Sequence, residues 1–153
     1  TVNLSEAVFH ERSVTAAAVA AHEVGHAVQH ATAYPMLQFR SGIVPIVSIS
    51  NRLSPLLIMG GLFLGALGSI SQLILLAGIG LFAVSTLFSF ITLPVEFDAS
   101  KRALAWIESS GVSSGEEKEL AEKGLRWAAM TYVVAALTSL AYLLYYLQFL
   151  NRR

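Results

Sequence analysis

The sequence predicts a mainly α, integral membrane helical protein with three transmembrane helices, a long motif-bearing helix near its start and a short N-terminal edge strand. Three observations lead there. The 153 residues are 55% hydrophobic and 13% charged, with mean hydropathy +0.63, whereas an ordinary soluble domain carries about 25% charged residues. No charged residue falls between Arg52 and Glu96, a stretch about twice the roughly 20 residues that one span needs. A second apolar run follows Arg126. The formal net charge is zero, so no bulk field favours nucleic acid as a partner. Cysteine is absent, which excludes disulfides and thiolate metal sites.

The elements follow in order. The opening TVNLSEAVF has no methionine and no basic start before an apolar run, so it reads as an internal start with upstream sequence missing. Residues 1–9 alternate loosely and predict a strand, followed by a turn through His10–Ser13. Ser13 is the expected N-cap of a helix from Val14 to about Thr32, rich in alanine and free of proline. Residues 33–52 contain two prolines and a glycine and are expected to form an irregular or interfacial connection. Ser54-Pro55 then opens a membrane hairpin, with one span near 54–69, a polar break around residues 68–72 and a second span near 72–93 closed by Pro94. An amphipathic helix is expected over residues 95–110, and Ser113 with Glu116 has the pattern of a capping box opening the next helix. The third span runs from Trp127 to about Phe149, with tyrosines and terminal arginines at its end as at a membrane interface. The parts form a single domain: 1–52 strand, motif helix and connection; 53–94 hairpin; 95–125 ligand-bearing amphipathic helices; 126–153 third span.

Within AAHEVGHAVQH, His22-Glu23-Val24-Gly25-His26 is H-E-x-x-H. On a helix, residues four apart share a face, so both imidazoles can meet one Zn²⁺, while Glu23 lies close enough to take a proton from a water beside that ion. A third protein ligand is required. His30 is a poor candidate, because a straight helix separates it from His22 by about 12 Å. Glu96 is favoured: it is the first charge after the apolar stretch, and a carboxylate there needs a partner. At the start of a helix it would also be favoured by the dipole. Asp98 is the other candidate ligand, although it can pair instead with Arg102 at i+4. Ser100, one turn beyond Glu96, could hydrogen-bond a ligating histidine from behind. His10 and Arg40 are candidate oxyanion donors.

With AAHEVGHAVQH and LPVEFDASKRA both in view, the sequence resembles the YugP-like bacterial membrane zinc metallopeptidases. LSEAVFHERSVTAAAVAAHEVGHAVQHA, RLSPLL and PVEFDASKRAL carry the resemblance, which spans nearly the whole chain. More distantly the layout is similar to HtpX-like membrane peptidases. The resemblance implies a gluzincin-like active-site helix, with His22, His26 and Glu96 as zinc ligands and Glu23 as general base. It departs at Ser100, where the wider group has an aspartate. It further implies that residues 1–5 form an edge strand pairing with an extended peptide.

The expected activity is therefore that of a membrane-embedded zinc-dependent endopeptidase. Its partners would be a peptide or protein substrate and the lipid bilayer, with oligomerisation left open. All lysines and arginines except Arg152 and Arg153 fall on the motif side of the expected topology. The positive-inside rule then puts the site on the cytoplasmic side of a bacterial inner membrane. Two other readings remain: a zinc-binding membrane scaffold without turnover, for which Glu23 would be superfluous, and a structural membrane protein with an accidental motif.

Overall fold

A computed structural model describes residues 1–65, 68–111 and 115–151, the last by its backbone. Among the described residues five helices follow one another: α1 (Glu6–His10), α2 (Val14–Ala31), α3 (Pro35–Phe63), α4 (Ser69–Ser110) and α5 (Glu116–Asn151). The chain divides into two compact units. The first is drawn from Thr1–Phe39 and Thr92–Val133, the second from Arg40–Ile91 and from Val134 onward.

There is no strand among the described residues, so the expected N-terminal edge strand is corrected. The Ser5 hydroxyl accepts from the Val8 amide at 3.4 Å and caps a one-turn helix. A local hydrogen bond of that kind competes with an extended backbone, and residues 1–5 have no neighbouring strand to pair with. The substrate-pairing role given to them falls with the strand.

The motif helix matches its expectation closely. Ser13 caps α2, its Oγ accepting from the Ala16 amide at 3.1 Å. The far end closes in a Schellman motif: Tyr34 N–H donates to the Gln29 carbonyl at 2.9 Å and Ala33 N–H to that of His30 at 3.2 Å. Ala33 takes the left-handed conformation that this closure demands, at φ 51°.

The prolines do not break helices as expected. Residues 33–52 are not an irregular connection: α3 runs through Pro45 and Pro55 over 29 residues, and α4 runs through Pro94 over 42. Each proline forfeits one backbone bond. In an apolar environment an open segment would forfeit several, so the helix continues. Glu96 consequently lies inside a helix rather than at its start, and the dipole argument for it lapses. The Ser113 cap lies outside the described residues.

α3, α4 and α5 are long and apolar enough to cross a membrane, with hydropathies of 1.4, 2.3 and 1.7 over their most apolar windows. Large apolar side chains such as Leu56, Phe63, Leu73 and Val134 stand on their outer faces, as lipid rather than water would favour. In the second unit, Ile58, Leu75 and Ile79 form a core joined by Tyr146 and Phe149. A β-carbon at Gly78 would meet the Ile58 backbone nitrogen at 2.7 Å, the close helix approach that small residues permit. The first unit has its own core, in which Ala18 and Ala21 of α2 meet Ala103 and Ile107 of α4 and Ala121 and Leu125 of α5. Alanines at these contacts bring the backbones of α2 and α4 together, and on that approach the meeting of His22 and His26 with Glu96 depends.

Candidate metal centre

His22 and His26 project from one face of α2, their rings 4.7 Å apart and nearly perpendicular at 84°. α4 delivers Glu96 to them. Its Oε2 lies 3.3 Å from His22 Nε2 and 3.4 Å from His26 Nε2. The three offer ligand atoms that all lie within 4.8 Å of one another. Two ligands of a tetrahedral ion with bonds of about 2.0–2.1 Å are separated by about 3.3 Å, so both imidazole–carboxylate edges already have the length zinc requires. Two imidazoles and a carboxylate are also a zinc donor set. The residues fit the metal.

The approach depends on Gly25. A β-carbon there would lie 2.5 Å from the Ala99 carbonyl oxygen, so this position of the motif must lack a side chain for α4 to come close enough to present Glu96. Glu96 is 3% exposed, and a carboxylate so buried requires a positive or hydrogen-bonding partner. The carboxylate raises the His26 imidazole above its ordinary 6.5; burial opposes that rise, while Gln29 and Glu23 add to it.

Both imidazoles are held from behind. Ser100 Oγ lies 3.2 Å from His22 Nδ1. Gln29 Oε1 lies 2.9 Å from His26 Nδ1, while Gln29 Nε2 donates to the Val95 carbonyl and to Asp98 Oδ2, each at 2.8 Å. Arg102 Nε donates to the same Asp98 oxygen at 2.6 Å. Asp98 therefore takes the i+4 pairing and is not part of the cluster of His22, His26 and Glu96 that could hold a metal. Gln29 was missed by sequence reasoning, which looked one residue further to His30. The available signal was an uncharged polar residue three positions after His26, on the same face, in a helix otherwise buried through alanine and glycine.

The site opens into a cavity of about 190 Å³. Glu23 lines it beside the three candidate ligands, together with Val19 of α2 and with Leu125, Ala128, Ala129 and Tyr132 of α5, which make the lining mostly apolar. None of the other candidates is among the residues that line it. His10 ends α1, exposed and edge-on to Phe9 at 5.1 Å. His30 is exposed on α2. Arg40 belongs to the second unit, whereas the cavity is lined entirely by the first.

The family model described as "Putative neutral zinc metallopeptidase" matches residues 1–151. The chain belongs to this family. Zn²⁺ is thus the cofactor of its family, and the cluster of His22, His26 and Glu96 could bind such a metal. The chain is also 46% identical over 153 residues to the "Putative membrane protease YugP" of Bacillus subtilis (strain 168), an alignment covering 99% of this chain. It spans 66% of that relative's length. No solved structure matches the chain. Family membership agrees with the donor set and with the three apolar helices.

Proposed function

We propose that the chain carries the catalytic centre of a membrane-embedded zinc-dependent endopeptidase, with His22, His26 and Glu96 as ligands and Glu23 as general base. The observation that carries this reading is the pair of 3.3 and 3.4 Å contacts converging on one Glu96 oxygen from the two motif histidines, residues at least seventy positions away in sequence. Zinc, when bound, lowers the pKa of a water toward about 7 and polarises a peptide carbonyl. Glu23, facing the same cavity, takes the proton from that water and passes it to the departing nitrogen. Ser100 and Gln29 hold the imidazoles in place. The apolar wall of Val19, Leu125 and Ala128 favours an apolar side chain beside the bond that is cut.

In this reading the protein sits in the bacterial cytoplasmic membrane with the site on the cytoplasmic side, as the distribution of lysines and arginines favours. Its substrates are peptides or proteins reaching that face. A zinc scaffold would share the ligands but would have no use for Glu23 in the cavity. The deciding experiment is Glu23→Gln in the full-length protein, assayed for bound zinc and for cleavage of casein. Zinc should be retained, and cleavage should fall about 10²–10⁴-fold, the contribution of a general base. A variant that cleaves at the wild-type rate overturns the role of Glu23, and a wild-type protein that binds zinc without cleaving any peptide favours the scaffold.

A further inference from the structure

We infer that Gln29 is a positioning residue that dictates which nitrogen of His26 carries the proton, and so leaves Nε2 free to bind the metal. The inference rests on the reading of His26 as a ligand but is argued from the hydrogen bonds alone. Gln29 is completely buried, and its amide has an accepting oxygen and an NH₂ with two protons to donate. Two acceptors, the Val95 carbonyl and the Asp98 carboxylate, lie 2.8 Å from Nε2. Reversing the amide would set its oxygen against both, one of them bearing a negative charge. The amide is thus oriented by its surroundings, whichever way an amide is drawn.

The oxygen end is therefore the one facing His26 Nδ1 at 2.9 Å. An amide oxygen can only accept, so Nδ1 must carry the proton. A neutral imidazole protonated at Nδ1 has its lone pair on Nε2, the atom 3.4 Å from Glu96 Oε2. Asp98 is held in turn by Arg102 at 2.6 Å, and the Arg102 guanidinium lies over the Tyr34 ring, 5.8 Å from its centroid. A relay results in which His26 Nδ1 donates to Gln29 Oε1 and Gln29 Nε2 donates to Asp98 Oδ2, the oxygen that also accepts from Arg102 Nε. Ser100 cannot do the same for His22, because a hydroxyl both donates and accepts. The two imidazoles are therefore unequally constrained.

The relay also ties α2 to α4, so the test must separate tautomer control from a helix tie. In metal-free, ¹⁵N-histidine-labelled full-length protein at alkaline pH, NMR should show His26 protonated at Nδ1. In Gln29→Met, which has a similar volume and no acceptor, His26 should become a mixture of both forms and zinc affinity should fall about 10–100-fold in chelator competition. Gln29→Glu can still accept from Nδ1 but disturbs the contacts to Val95 and Asp98. It should keep the Nδ1–H form where Gln29→Met loses it. A wild-type His26 protonated at Nε2, or a Gln29→Met protein with unchanged zinc affinity and tautomer, would overturn the inference. If His26 shows the Nδ1–H form but the wild-type protein takes up no zinc, the relay stands and the metal reading of the preceding section fails.

Discussion

Gly25 and Ala99 approach so closely that a single added methyl group would place carbon 2.5 Å from a backbone oxygen. Backbone cannot yield as the tip of a flexible side chain can, so α2 and α4 must move apart if position 25 acquires a side chain. Gly25→Ala should cost about 1–3 kcal/mol in stability, the usual range for overpacking, despite the better helix propensity of alanine. Because the displaced helix carries Glu96, zinc affinity should fall as well. Thermal unfolding with and without zinc measures both; a more stable variant with intact zinc binding would contradict the packing argument.

Glu96→Gln removes the one anionic donor from the metal-holding group while keeping its volume. Its effect on zinc affinity should exceed the roughly 100-fold upper range of losses caused by residues behind the ligands. Asp98→Asn, two residues on, should stay within that range, because Asp98 acts through Gln29. Competition titrations on the two purified variants give the order directly. If Asp98→Asn is the more damaging of the two, the assignment of the third ligand is wrong.

Ser100→Ala deletes the 3.2 Å contact to His22 Nδ1 at a site that is 8% exposed. A single neutral hydrogen bond contributes about 0.5–1.5 kcal/mol, so zinc binding should weaken by about tenfold or less. The loss should be smaller than that of Gln29→Met measured in the same titration.

Ala33 adopts φ 51°, where a β-carbon costs about 1–2 kcal/mol and glycine is unstrained. Ala33→Gly should therefore stabilise the protein by about 1 kcal/mol. This is opposite in sign to the effect of glycine inside a helix. An upward shift of the unfolding midpoint in detergent is the expected result, and a decrease would mean that the strain is relieved in some other way.

Much of the site was legible because its signals are local or are forced by solvation. Ser13, the alanine run and H-E-x-x-H locate α2 and its histidine face by spacing alone. Glu96 announces itself as the first charge after a long uncharged stretch, since an acid there needs company. The helix boundaries were less legible. Pro45, Pro55 and Pro94 read by local rules as part of an irregular connection, a helix start and a helix stop, but an apolar setting penalises open backbone more than one missing bond. The N-terminal alternation of Val2 and Leu4 suggested a strand, and the Ser5 cap won instead. Gln29 was hidden for another reason: its partners Val95 and Asp98 come from α4, and no spacing within α2 reveals them.

Gln29 also supplies the carbonyl that accepts from Tyr34 N–H where α2 turns away. Its main chain fastens the last turn while its side chain steadies His26. Helix ends ordinarily fray, but loosening this one would unfasten His26, a proposed metal ligand, at the same moment. Selection for a firm terminus and selection for a well-aimed imidazole thus bear on a single residue, so the tail of α2 should be as rigid as its middle.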